Sequence, residues 1–167
     1  MARYDERSGN LYVTELGRVA SHYYIAHPTI VLFNEKLSKH MSEAELLSVV
    51  SNSAEFEQIA VRDDEVTELE DIRRESCEFD VAGGAENRHG KVNILLQAFI
   101  SEAWPRSFSL TADMNYVAKN APRITRGMFE IVLRRGWPSL AYQLLGRCGD
   151  DVGVCKCVSG GRWVVWM

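Results

Sequence analysis

Residues 114–136 read MNYVAKNAPRITRGMFEIVLRRG, and their periodicity decides the fold class. On a helical wheel Val117, Ala121, Ile124, Met128, Ile131 and Val132 fall in one arc, widened by Phe129 and Leu133. Lys119, Arg123, Arg126, Glu130 and Arg134 occupy the narrow remainder, at spacings of 4, 3, 4 and 4. Positions three and four apart share a helix face, so this is a helix mostly buried and carrying a thin cationic stripe. Pro122 inside it removes one backbone hydrogen bond and costs about 3 kcal/mol in a regular helix. Either the helix kinks there, or it restarts with Asn120 as cap and Pro122 in the first turn. Trp137 and Pro138 end the segment, and Leu140, Leu144 and Leu145 open a short further helix.

Working toward the N-terminus, Lys91 to Trp104 is amphipathic through Val92, Leu95, Leu96, Phe99 and Ile100, and Pro105 stops it. Residues 80–90, DVAGGAENRHG, form a loop on their glycine content. Asp63 and Asp64 put acids where a helix N-terminus favours them, ahead of Val66, Leu69 and Ile72. Ser42 with Glu45 is a capping box opening the run Leu46, Leu47, Val49, Val50. Pro28 begins a helix through Ile30, Phe33 and Leu37, and Thr14 caps one through Leu16, Val19, Ala20 and Tyr23. Residues 3–14 favour strands around a tight turn at SGN, a hairpin that cannot stand alone in water and must pack on helices. The expected fold is mainly α: a helical bundle with one short N-terminal β-hairpin.

The 167 residues are 46% hydrophobic and 25% charged, the composition of a folded globular chain. Apolar runs are far shorter than the roughly 20 residues that cross a bilayer, so no membrane partner is expected. MARYDERSGN has no apolar signal region, which makes nucleus or cytoplasm the expected compartment. Net charge is −4, but Glu55 to Glu86 holds twelve acids and three bases, while Arg88 to Arg147 holds nine bases and three acids. Such asymmetry marks a binding face or two solvated faces of opposite sign.

Catalytic constellations are not found. Gly84 to Gly90-Lys91-Val92 approaches a phosphate-binding loop, but the spacing is one too long and valine replaces the hydroxyl residue. Asp63-Asp64-Glu65-Val66 resembles a magnesium-binding acid run without the apolar strand that should precede it. No G-x-S-x-G occurs, and His22 beside Tyr23 and Tyr24 reads as a core or surface histidine. Cys77 stands alone, and Cys148, Cys155 and Cys157 lack zinc-ligand spacing, so free thiols are expected and no metal. The cationic stripe keeps two readings: arginines paired at i,i+4 with Glu130 and solvated, or arginines contacting phosphates. Burial on the other faces favours the second, because the stripe then lines a groove.

Two blocks carry a resemblance: YVTELGRVASHYYIAHPTIVLFNEKL (Tyr12 to Leu37), and KVNILLQAFIS with FSLTADMNYVAKNAPRITRGMFEIVLRRGWPSLAYQLL (Lys91 to Leu145). They resemble the Sec sixty-three domain of Ski2-like superfamily 2 helicases, and the acidic run from Val61 agrees. The GGAENRHGK loop is more similar to the activating signal cointegrator complex branch than to the spliceosomal one. The resemblance implies that residues 1–14 are the tail of a winged-helix domain and that 15–146 are the helical bundle. It implies that the helix over 114–136 lines the channel of a translocating single strand of DNA or RNA, with Arg123 and Arg126 at positions where the family turns arginines to nucleic acid. Lys119 and Arg134 extend that set from the wheel alone. It further implies partners in helicase core domains and other cointegrator-type subunits, with ATP and magnesium bound elsewhere in a parent helicase and no enzyme activity in this chain alone. Two departures stand out: Pro122, where the family has a small residue, and GRCGDDVGVCKCVSGGRWVVWM (146–167), which does not continue the helical pattern. The latter makes 147–167 a non-homologous tail and the chain a fragment from a truncated or mis-spliced reading frame. The competing expectations are a protein-interaction module of the translocon type and a non-functional truncated product.

Overall fold

The computed structural model describes residues 1–145. The cysteine cluster at 148–157 and the expected non-homologous tail lie outside the described residues. Strands β1 (Ala2–Asp5) and β2 (Asn10–Val13) pair antiparallel with Ala2 opposite Val13 and Asp5 opposite Asn10. Seven helices follow: α1 (Glu15–Tyr23), α2 (His27–Lys36), α3 (Glu43–Ser51), α4 (Val66–Ser76), α5 (Arg88–Ile100), α6 (Phe108–Arg134) and α7 (Pro138–Leu145). Short 3-10 turns at Ala54–Phe56 and Asp63–Glu65 bridge α3 to α4. The architecture is the expected mainly-α bundle with one small hairpin.

Local chemistry sets the helix starts. Thr14 Oγ1 accepts from the Gly17 amide, and Ser42 and Glu45 form the reciprocal capping box. Pro28 sits in the first turn of α2, whose Ala26 cap has no side-chain acceptor. Glu55 supplies one from a distance: Oε1 accepts the Ala26 amide at 2.9 Å and Oε2 the Thr29 hydroxyl at 2.5 Å. Tyr116 on α6 then donates to the Glu55 carbonyl at 3.1 Å, tying these turns to the long helix.

Four expectations need correction. The hairpin does not pack its faces on the bundle: Leu11 is 71% exposed, and Tyr4, Tyr12 and Val13 are also exposed. It is held at its base, where the Thr14 amide and hydroxyl donate to the Met1 carbonyl at 3.1 and 2.8 Å. The loop at 80–90 is shorter than its glycines suggest, because α5 begins at Arg88 with Asn87 as cap. Gly90 belongs to the helix and lets it approach the Gly84 carbonyl, into which a β-carbon at 90 would run. Nor is α5 amphipathic: every residue from Gly90 to Ala98 is buried, since α3, α4 and α6 pack on different sides of it. Its polar residues find partners instead of water, Gln97 bonding to Asn93 and to both backbone groups of Phe79. Finally, α6 starts at Phe108 with Ser107 as cap, not near Met114, and runs 27 residues unbroken through Pro122. The restart at Asn120 does not occur, and Asn120 instead donates its side-chain amide to the Tyr116 carbonyl at 3.0 Å.

The apolar core divides into two clusters that meet at α5 and α6. The larger gathers Phe33, Ile30, Phe56, Val92, Leu96, Ile124, Met128 and their neighbours. The smaller holds Leu69, Ile72, Ile94, Leu95, Leu110 and Met114. Helix α6 therefore crosses the whole core with one face and leaves the opposite one outside.

Candidate nucleic-acid interface

Along α6 the outward line is set by what the core leaves over. Leu110, Met114, Val117, Ala121, Ile124, Met128, Ile131 and Val132 are buried. Asn115, Lys119, Arg126 and Arg134 are exposed, with Pro122, Arg123 and Glu130 half-buried between them. The stripe read from the wheel thus exists as one continuous line, but its four cations are held differently.

The Lys119 side chain is exposed and makes no hydrogen bond or ion pair among the described residues. Arg126 is also exposed, although not without a partner. Arg123 is half-buried and bent toward the protein. Its Nη1 donates to the Tyr23 carbonyl at 3.1 Å and to the Tyr24 carbonyl, and its Nη2 to Asn120 Oδ1 at 2.9 Å. Arg134 is bracketed by acids: Nε and Nη2 donate to Glu130 Oε1 at 3.1 and 2.8 Å, and Nη1 pairs with Glu15 on α1. For Arg134 the i,i+4 pairing with Glu130 is realised, and the contact to Glu15 ties the end of α6 to α1. Lys119 and Arg126 are exposed, whereas Arg123 is half-buried under two carbonyls and Arg134 is held between two acids.

A groove of about 740 Å³ opens beside the C-terminal half of α6. Its walls are Tyr12 and Val13 of β2, His22 and Tyr23 of α1, and the Glu130–Arg134 pair. The His22 and Tyr23 rings meet edge to face at 4.7 Å, which gives His22 an aromatic neighbour on the rim.

The strongest electrostatic feature lies on the other side of α6 and was not expected. Lys91, in the near-miss phosphate loop, has a fully buried side chain, with Nζ at 2.6 Å from Glu65 Oε2, 2.7 Å from Asp113 Oδ2 and 2.8 Å from the Ala60 carbonyl. Glu65 also accepts from Arg62 and Ser109 at 2.5 Å each. Burial alone pushes the Glu65 carboxyl up, but hydrogen bonds from Lys91, Ser109 and Arg62 outweigh it and hold it down at about 2. The signal was in the register: Lys91 shares a helix face with Leu95 and Ala98, both buried, so it cannot reach water. Every buried side-chain polar atom in the cluster has a hydrogen-bond partner, which makes it a clamp between α5, α6 and the turn before α4.

Among the described residues, no three His, Cys, Asp or Glu side chains come together as metal ligands. Cys77 is a half-buried free thiol, raised to about 11 by burial. No helix is long and apolar enough to cross a membrane.

Comparison with known proteins places this geometry in context. Residues 13–165 match the Sec63 Brl domain family. The chain is 50% identical over 145 residues to the activating signal cointegrator 1 complex subunit 3 of Gallus gallus, covering 87% of this chain. It is 47% identical over 148 residues to the DExH-box ATP-dependent RNA helicase DExH14 of Arabidopsis thaliana, covering 89% of it. The U5 small nuclear ribonucleoprotein 200 kDa helicase of Homo sapiens is 45% identical over the same length. The chain spans 7% of the length of each of these relatives.

Proposed function

Because the chain belongs to the Sec63 Brl domain family as it occurs in Ski2-like helicases, we propose that it is an accessory domain of an ATP-dependent helicase, with the outer line of α6 turned toward a single nucleic-acid strand. The observation that carries this reading is the exposed row Asn115, Lys119 and Arg126 on a helix whose opposite face is buried from Leu110 to Val132. A rigid helix places its cations at fixed intervals, and phosphate charge dominates sequence-independent affinity. A groove walled by β2, α1 and the Glu130–Arg134 pair adjoins the C-terminal end of the helix. In this reading the domain performs no chemistry alone. ATP and magnesium are handled by the helicase cores of the parent protein, in the nucleus or cytoplasm. Those cores and other cointegrator-type subunits are its protein partners.

Fluorescence anisotropy of the full chain with a labelled single strand, across a salt series, tests the proposal. Each phosphate-contacting cation contributes about −0.7 to the slope of log K against log salt on single strands. Lys119→Ala with Arg126→Ala should weaken binding of DNA and RNA strands alike and flatten the slope by about 1.4, the contribution of two cations. Unchanged affinity and slope in the double variant would mean that α6 does not face the strand.

A further inference from the structure

We infer that the exposed ring of Tyr24 is a stacking platform for one unpaired base of a single-stranded nucleic acid, held in place by Arg123 as a positioning residue. The inference rests on the strand reading of α6 and adds to it a base-contacting site off that helix.

A surface tyrosine by itself means nothing, since much of any protein surface is apolar. Tyr24 differs in three respects. Its backbone sits in the left-handed region, φ 51° and ψ 45°, as the cap of α1, with its amide donating to the Ala20 carbonyl. A bulky residue is strained there, and glycine or asparagine would turn the chain more easily. Second, that strain is not offset by burial. The residue is 83% exposed, and among the described residues its ring stacks on no other ring. Third, its base is latched. The Arg123 guanidinium spans the carbonyls of Tyr23 and Tyr24 and is itself braced by Asn120. The same corner seats on Gly127, where a β-carbon would run into Ile25 Cδ1. Tyr24 is thus rooted over the turn of α6 between Arg123 and Gly127, the turn that carries Arg126, with Lys119 one turn earlier.

An exposed ring whose backbone is anchored to the α6 turn that carries Arg126 suits an unpaired strand: phosphates lie along the cations while one base stacks on the ring. Stacking uses the π-face that every base has, so the site is indifferent to sequence. The arrangement also accounts for the inward bend of Arg123, which holds the two carbonyls from which the ring projects.

The test compares the full chain with Tyr24→Asn and Tyr24→Phe on a labelled oligothymidylate and on an abasic oligomer of equal length. Tyr24→Asn should weaken oligothymidylate binding about 5- to 150-fold, the range for loss of one stacked base. The salt slope should not change, and Tyr24→Phe should bind like the wild type. On the abasic oligomer all three proteins should bind alike. Asparagine tolerates the left-handed conformation, so Tyr24→Asn should melt at or above the wild-type temperature, which separates lost stacking from lost structure. Equal oligothymidylate affinity for Tyr24→Asn and wild type overturns the inference and leaves the ring for a protein contact. So does an equal loss on the abasic oligomer. Failure of the strand reading is seen separately, as a salt slope indifferent to Lys119 and Arg126.

Discussion

An ammonium and a carboxylate buried together are favourable only when each keeps its hydrogen bonds. Lys91 meets that condition with three oxygens and Glu65 with three donors. Removing one partner leaves the other buried and unmatched, so Lys91→Met should cost about 3–5 kcal/mol in a urea titration at neutral pH. The folded-state pKa of Glu65, about 2, lies below its ordinary value of 4.5. Its contribution is therefore fully present above pH 4.5 and lost as pH falls from 4.5 toward 2, with a full span of about 3 kcal/mol. Urea titrations of wild type and Glu65→Gln across that window should show the gap between them narrowing as pH falls. A gap that is constant with pH would mean that Glu65 is not held ionised by the cluster. The acid run around it is readable as a helix start, and Asp63 and Asp64 are indeed exposed there. What composition does not reveal is that the third acid of the run turns inward, because its partner lies 26 positions away on another helix.

At the scale of elements, periodicity and caps locate most of the helices, since Thr14, Ser42, Pro28 and the apolar spacing act within a few residues. The differences arise where a distant element decides. Helix α5 has an amphipathic sequence because Asn93 and Gln97 are polar, yet contacts from three sides bury them. The line on α6 is readable from the wheel, but the diversion of Arg123 to the α1–α2 corner, 99 residues away at Tyr24, is not. Pro122 is the sharpest case. Its ring stands within an unbroken helix, where it leaves the Ala118 carbonyl without its i+4 donor. The helix tolerates this because core contacts on both flanks, Val117 and Ala121 before and Ile124 and Met128 after, hold the two halves in line. Pro122→Ala should restore the donor and raise stability by about 2 kcal/mol, the helix penalty less the stiffness that proline gives the unfolded chain. Urea unfolding measures it. A loss of stability would show that the proline ring packs in a way alanine cannot replace.

For the molecule as a whole, the two core clusters do not behave as two domains, because α5 and α6 belong to both. Helix α5 is enclosed over Gly90 to Ala98, so its amides reach water only when neighbouring helices separate. The hairpin is the opposite case. Its strands bury almost nothing and are joined to the bundle mainly through the Met1 carbonyl and Thr14. Two strands with exposed faces are marginal in water, so this element should open without disturbing the rest. Native-state hydrogen exchange should therefore show the amides of Ile94, Leu95 and Leu96 exchanging only through global unfolding, with a denaturant dependence matching the equilibrium transition. Those of β1 and β2 should exchange orders of magnitude faster and with little denaturant dependence. Hairpin amides as protected as those of α5 would mean that its exposed Leu11, Tyr12 and Val13 are covered in solution, by association of the chain with itself or by a partner. If the hairpin does open freely, the wall it contributes to the groove beside α6 is a movable one, and a strand lying on Lys119 and Arg126 does not depend on it.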